Sequence, residues 1–145
     1  MDLSKFTREE LILAGAAILL ALDLLFLPWF EVSIGLGSLE LSTSSTGTGA
    51  PDGWLGVFAV LACLALVGDL ALERMTDARL PAVGESRATT RLALAIGAAA
   101  CVALKFLLHV HFDLFAFGFW AAVVLSVILV VFARRAAASA APAPE

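Results

Sequence analysis

Four apolar runs divide the chain, at 11–30, 54–72, 92–110 and 114–133. Each is about 19 or 20 residues long, and at about 1.5 Å per helical residue each matches the roughly 30 Å hydrocarbon layer of a bilayer. A helix on a soluble core would show a polar stripe every 3.6 residues or so; these runs are apolar around their circumference, with isolated exceptions. Backbone polar groups in lipid must be satisfied within the segment, which selects helices. The pattern therefore predicts an all-α membrane protein, a four-transmembrane-helix bundle forming one domain over 1–136. The Ala/Pro-rich stretch 137–145 is expected to be a disordered cytoplasmic tail.

Polar residues between the runs refine this. Thr7 and Glu10 have capping-box spacing ahead of the first run. Asp52 and Asp113 are placed to cap the second and fourth helices. No small-residue cleavage site follows the first run, which reads as an uncleaved anchor. Within 31–53, Val32, Ile34 and Leu36 alternate with smaller or polar residues, as Leu39 and Leu41 do after Gly37. This predicts a short β-hairpin turning near 35–38. The Ser/Thr/Gly-rich stretch 42–49 reads as mobile.

Composition fits a lipid-facing chain: 61% of residues are hydrophobic, 15% are charged, and the mean hydropathy is +1.00. Soluble domains average about 45–50% apolar and about 25% charged residues. The basic residues also give a direction. Lys5 and Arg8 precede the first run, Arg74, Arg79, Arg87 and Arg91 lie around the middle connection, and Arg134 and Arg135 follow the fourth. By the positive-inside rule that side is cytoplasmic, giving a multi-pass cell-membrane protein with both termini inside. Trp29, Trp54 and Trp120 fall at the opposite ends and are expected to form an outer aromatic belt. The net charge of −4 carries no basic patch, so nucleic acid is excluded as a partner. The expected partners are the lipid bilayer and either another membrane protein or further copies of this chain.

The string Leu25-Phe26-Leu27-Pro28-Trp29-Phe30, a Ser/Gly-rich outer loop and then Gly53-Trp54-Leu55-Gly56-Val57 together resemble a group of small, uncharacterised four-helix membrane proteins of high-GC bacteria. The resemblance implies topology and no activity. Small multidrug resistance transporters are similar in having four helices with an acidic residue in the first, the part Asp23 would play. Claudin-like proteins share four helices and a β-rich first outer loop, but carry paired cysteines there that this chain lacks.

Asp23 and Lys105 are the most informative side chains, because a charge at mid-membrane costs about 2.5–3.5 kcal/mol on insertion scales. The first and third helices run in the same direction. Both residues lie roughly 18–20 Å from the cytoplasmic edge. Matched depth and opposite sign predict an intramembrane charge pair, either a structural tie or an ion-coupling carboxylate with a cationic partner. The remaining alternative leaves Lys105 snorkelling away on its long stem. Asp69 reads as an interfacial carboxylate, solvated or paired with Arg91. His109, His111 and Asp113, with Glu31, are a candidate zinc or copper site, against the plainer reading of interfacial histidines beside a capping aspartate. Cys63 and Cys101 form no CxxC motif and read as reduced packing residues. Small residues, Ala14, Ala17 and Ala21 in the first helix and Ala93, Gly97 and Cys101 in the third, allow close helix packing. No nucleophile elbow, phosphate loop or acid–base pair occurs, so no catalytic residue and no cofactor is expected. The function expected is a non-catalytic membrane subunit, structural or partner-binding, that displays loop 31–53. The alternatives are a small-solute or proton-coupled transporter using Asp23 and Lys105, and a metal-binding membrane protein using His109 and His111.

Overall fold

The computed structural model describes residues 6–36, 39–50, 52–75, 86–109 and 115–140, with the backbone alone for 33–36, 39–41 and 140. The elements are α1 (Arg8–Phe26), β1 (Pro28–Leu36), β2 (Leu39–Thr46), α2 (Gly53–Met75), α3 (Arg87–Leu108) and α4 (Phe117–Ala140). The helices pack as a ring in which α1 meets α2 and α4, and α3 meets α2 and α4. The pairs α1/α3 and α2/α4 are therefore diagonal. Leu13, Leu20, Leu24, Leu66, Leu70 and Leu129 fill the centre, with alanines at the close approaches. Among the described residues, α2, α3 and α4 are each long and apolar enough to cross a membrane. Large apolar side chains also cover the outside of α1, where Leu19 is 55% and Phe26 71% exposed. A surface of that kind is rare on soluble proteins.

The capping box forms as expected. The Glu10 amide donates to Thr7 Oγ1 at 3.2 Å and the Thr7 amide to Glu10 Oε2 at 2.9 Å. The first helix ends at Phe26, however, short of the expected 30. Leu27 is extended at φ −85°, ψ 145°, because the residue before proline is disfavoured in helical geometry. The third helix begins at Arg87, five residues ahead of the apolar run. Its Ser86 cap accepts from the Thr89 amide at 3.2 Å. The fourth helix begins later than expected and continues through Ala140, so the tail expected from 137 is helical up to that residue.

The hairpin forms, with Leu36 paired to Leu39 across its end. Pairing continues through Ser33↔Ser42 and Glu31↔Ser44 to Pro28↔Thr46. The first part of 42–49, expected to be mobile, is therefore strand. The remainder, through Gly49, is held by contacts to the bundle described below.

Candidate functional site

α1 and α3 each carry two charged residues on a buried face. The buried stripe of α3 reads Arg91, Ala95, Ala98, Val102, Lys105, a 4-3-4-3 spacing that holds one side of a helix. The buried face of α1 includes Glu10 and Asp23. The two pairs end up at opposite ends of the bundle, and they are solved differently.

At the end away from the hairpin, Arg91 donates through Nε to Asp69 at 2.6 Å and through Nη2 to Glu73. Its Nη1 stands 3.7 Å from Glu10. Arg74 donates to the same Glu10 carboxylate at 2.7 Å. Asp69 thus has the Arg91 partner that one reading gave it. Glu10, expected only as a cap, joins α1 to both α2 and α3. Glu10 stands ahead of the apolar run of its helix. Burial alone would raise its carboxyl, but the Arg74 guanidinium and the Thr7 groups outweigh this and hold it below its ordinary value of 4.5.

At the hairpin end, Asp23 and Lys105 are 3% and 1% exposed, yet no direct ion pair within 4 Å joins them. The helices carrying them are diagonal, and Trp29 stands between. Its indole N–H donates to Asp23 Oδ2 at 3.0 Å, while Lys105 Nζ lies 5.6 Å from its ring centroid. Trp29 is completely buried, so it does not belong to the expected aromatic belt. Pro28 takes the chain out of α1 and Trp29 packs edge-on to Phe119, with centroids 5.6 Å apart. Trp54 and Trp120 are 54% and 50% exposed and do lie on the surface.

Lys105 instead holds the base of the hairpin. Nζ donates to the carbonyls of Gly47 at 2.5 Å and Gly49 at 3.1 Å, and lies 5.6 Å from the Phe30 ring centroid. Carbonyl dipoles and aromatic faces are suitable neighbours for a desolvated ammonium. The Thr48 amide donates to the Leu24 carbonyl at 3.0 Å, and the Ala116 amide to that of Trp29 at 3.0 Å. A Cβ at Gly47 would stand 2.7 Å from Leu24 Cδ2, and one at Gly56 would fall onto the Gly47 carbonyl. Two glycines therefore let the strand end sink between α1 and α2. Sequence reasoning missed this base. The run Gly47-Thr48-Gly49 and Gly53-Trp54-Leu55-Gly56 was its only trace.

Asp52, expected as a side-chain cap, adopts a left-handed backbone at φ 50°. Its carboxylate takes the Trp54 indole N–H at 3.3 Å and lies 3.5 Å from His109 Nε2. His109 Nδ1 lies 3.1 Å from the Lys105 carbonyl oxygen. Glu31 is exposed on β1, while His111 and Asp113 lie outside the described residues. Among the described residues no three His, Cys, Asp or Glu side chains come together as metal ligands. Cys63 is buried, Cys101 is half-buried, and both are free thiols. Of the small residues on α3, Ala93 and Gly97 face outward, whereas Ala17 and Ala21 of α1 are buried.

Two buried oxygens find no protein partner among the described residues, Asp23 Oδ1 and Ser126 Oγ. Ser126 lines an otherwise apolar groove between α3 and α4, which has neither Asp23 nor Lys105 in its wall. Comparisons with known protein families, with curated proteins and with solved structures find no match to this chain.

Proposed function

We propose that the chain is a non-catalytic integral membrane protein that holds a β-hairpin on the outer face of a cell membrane for a protein partner. In this reading α1 is the fourth span, its apolar path continued by Leu27 and the start of β1. The basic residues face the cytoplasm, together with both termini. One observation supports it above the others: the buried Lys105 is engaged by the Gly47 and Gly49 carbonyls, fixing the hairpin base on the bundle. A rigid base lowers the ordering cost when a presented strand pair meets its partner.

A second reading rests on Asp23 Oδ1, a buried carboxylate oxygen without a donor among the described residues. Such a group within a span suits a proton-coupled carrier. Two measurements separate the readings. A photoreactive residue at the exposed Ser44 should give a discrete protein adduct in cells. The adduct should vanish when 33–42 are replaced by a two-residue turn, and persist in Asp23→Asn. Proton or solute flux in proteoliposomes that Asp23→Asn abolishes would instead establish the carrier.

A further inference from the structure

The apolar groove between α3 and α4 has a volume of about 480 Å³. On α4 it extends from Phe119 to Val131, roughly 18 Å at 1.5 Å per residue. Its wall is almost wholly apolar, of Ala, Val, Phe and Trp side chains with Ser126. A polymethylene chain, about 4–5 Å thick at van der Waals contact, can lie along it.

The groove has a direction. On α4, Val123, Val127 and Val130 line it, and the same 4-3-4 spacing brings Arg134 onto that face one turn beyond. Arg134 and Arg135 are exposed. Neither forms an ion pair among the described residues. Arg135 lies 5.4 Å from the Phe132 ring centroid, beside the same end. A long apolar groove thus ends at a pair of exposed guanidiniums, which is the order of parts in an anionic phospholipid. Guanidinium favours phosphate for its bidentate geometry.

We propose that α3 and α4 form a binding site for one anionic phospholipid of the cytoplasmic leaflet. One acyl chain lies along the groove and the phosphate rests on Arg134, with Arg135 alongside. The site rests on the membrane reading above but not on the hairpin's role.

Trp120 lines the far end of the groove, so it reports the tip of the bound chain. The test uses the full chain carrying Trp54→Phe, in vesicles of zwitterionic phosphatidylcholine. A small fraction of lipid brominated near the chain end is added, as phosphatidylglycerol or as phosphatidylcholine. Trp29 is buried and serves as the shielded background. The anionic lipid should quench Trp120 with an apparent affinity about fivefold above the zwitterionic one, the equivalent of about 1 kcal/mol for one arginine at an anionic surface. Arg134→Gln, at an exposed position, should remove that preference. Ala103→Phe, which fills the groove, should remove it with both arginines still in place. Equal quenching by the two lipids, or a preference that survives both substitutions, overturns the site. Quenching that grows only as protein is diluted in lipid also overturns it, because a second copy then covers the groove. If neither lipid quenches Trp120 at any dilution, the membrane reading itself fails.

Discussion

At the scale of single residues, the buried charges are accommodated by aromatic rings and backbone as much as by opposite charges. Asp23 and Lys105 stand out in the sequence because each interrupts an apolar run. Their signs and depths are legible there, and predict that they meet. Trp29 changes this: it is adjacent to a helix end in the sequence, and only the turn at Pro28 brings its indole inward to Asp23. An interfacial tryptophan and a buried one look alike until that turn is known. A pair of double-mutant cycles, read from unfolding in detergent, separates the two arrangements. Asp23→Leu leaves the buried indole N–H without an acceptor and should cost about 1–3 kcal/mol. Asp23→Asn retains an acceptor and should cost less. Coupling between Asp23→Leu and Trp29→Phe should lie within about 0.5–3 kcal/mol, the range for residues in contact. Coupling between Asp23→Leu and Lys105→Leu should be smaller. The reverse order would mean that the charges meet directly and that the indole is incidental.

At the scale of elements, helix identities follow from hydrophobic runs, but their ends depend on polar details the runs do not contain. Ser86 starts α3 within a polar stretch, and Leu27-Pro28 stops α1 within an apolar one. The hairpin was legible as far as Leu41 because alternation carries the signal. Beyond it, Ser42-Thr43-Ser44-Ser45-Thr46 has no apolar alternation, and its strand conformation comes from pairing with β1. Composition alone reads such a stretch as loose, whereas the structure makes it the foot of the hairpin. Two glycines within helices provide the test. At Gly56 an added Cβ meets the Gly47 carbonyl, while at Gly97 it meets nothing within 4 Å. Gly56→Ala should therefore destabilise the protein by about 1–3 kcal/mol through overpacking. Gly97→Ala should be neutral or stabilising by up to about 1 kcal/mol, from helix propensity alone. Measured side by side in one detergent, equal effects at the two positions would show that the hairpin foot is not seated against α2.

At the scale of the whole molecule, charge is divided between the two ends. One end holds Glu10, Asp69, Glu73, Arg74 and Arg91, four of them joined through Arg91. The other holds Lys105 beneath the hairpin, and the strands carry no basic residue. This division was readable directly from the spacing of Lys and Arg, because it depends on which connection a residue belongs to and not on how it packs. It makes a directional prediction that the helices alone do not. With Cys63 and Cys101 replaced by alanine, a single cysteine is introduced at Ser44 on β2 or at Ser139 near the end of α4, both exposed positions. In intact cells an impermeant thiol reagent should label Ser44→Cys and leave Ser139→Cys unlabelled. After permeabilisation both should react, which shows that the second thiol was shielded by the membrane and not by the fold. Labelling at Ser139→Cys alone in intact cells would place the basic end outside and the hairpin in the cytoplasm. Labelling at both would require an odd number of crossings between the hairpin and the end of α4 to be replaced by an even one. With α2, α3 and α4 each long enough to cross, that result would mean one of the three lies along the membrane surface.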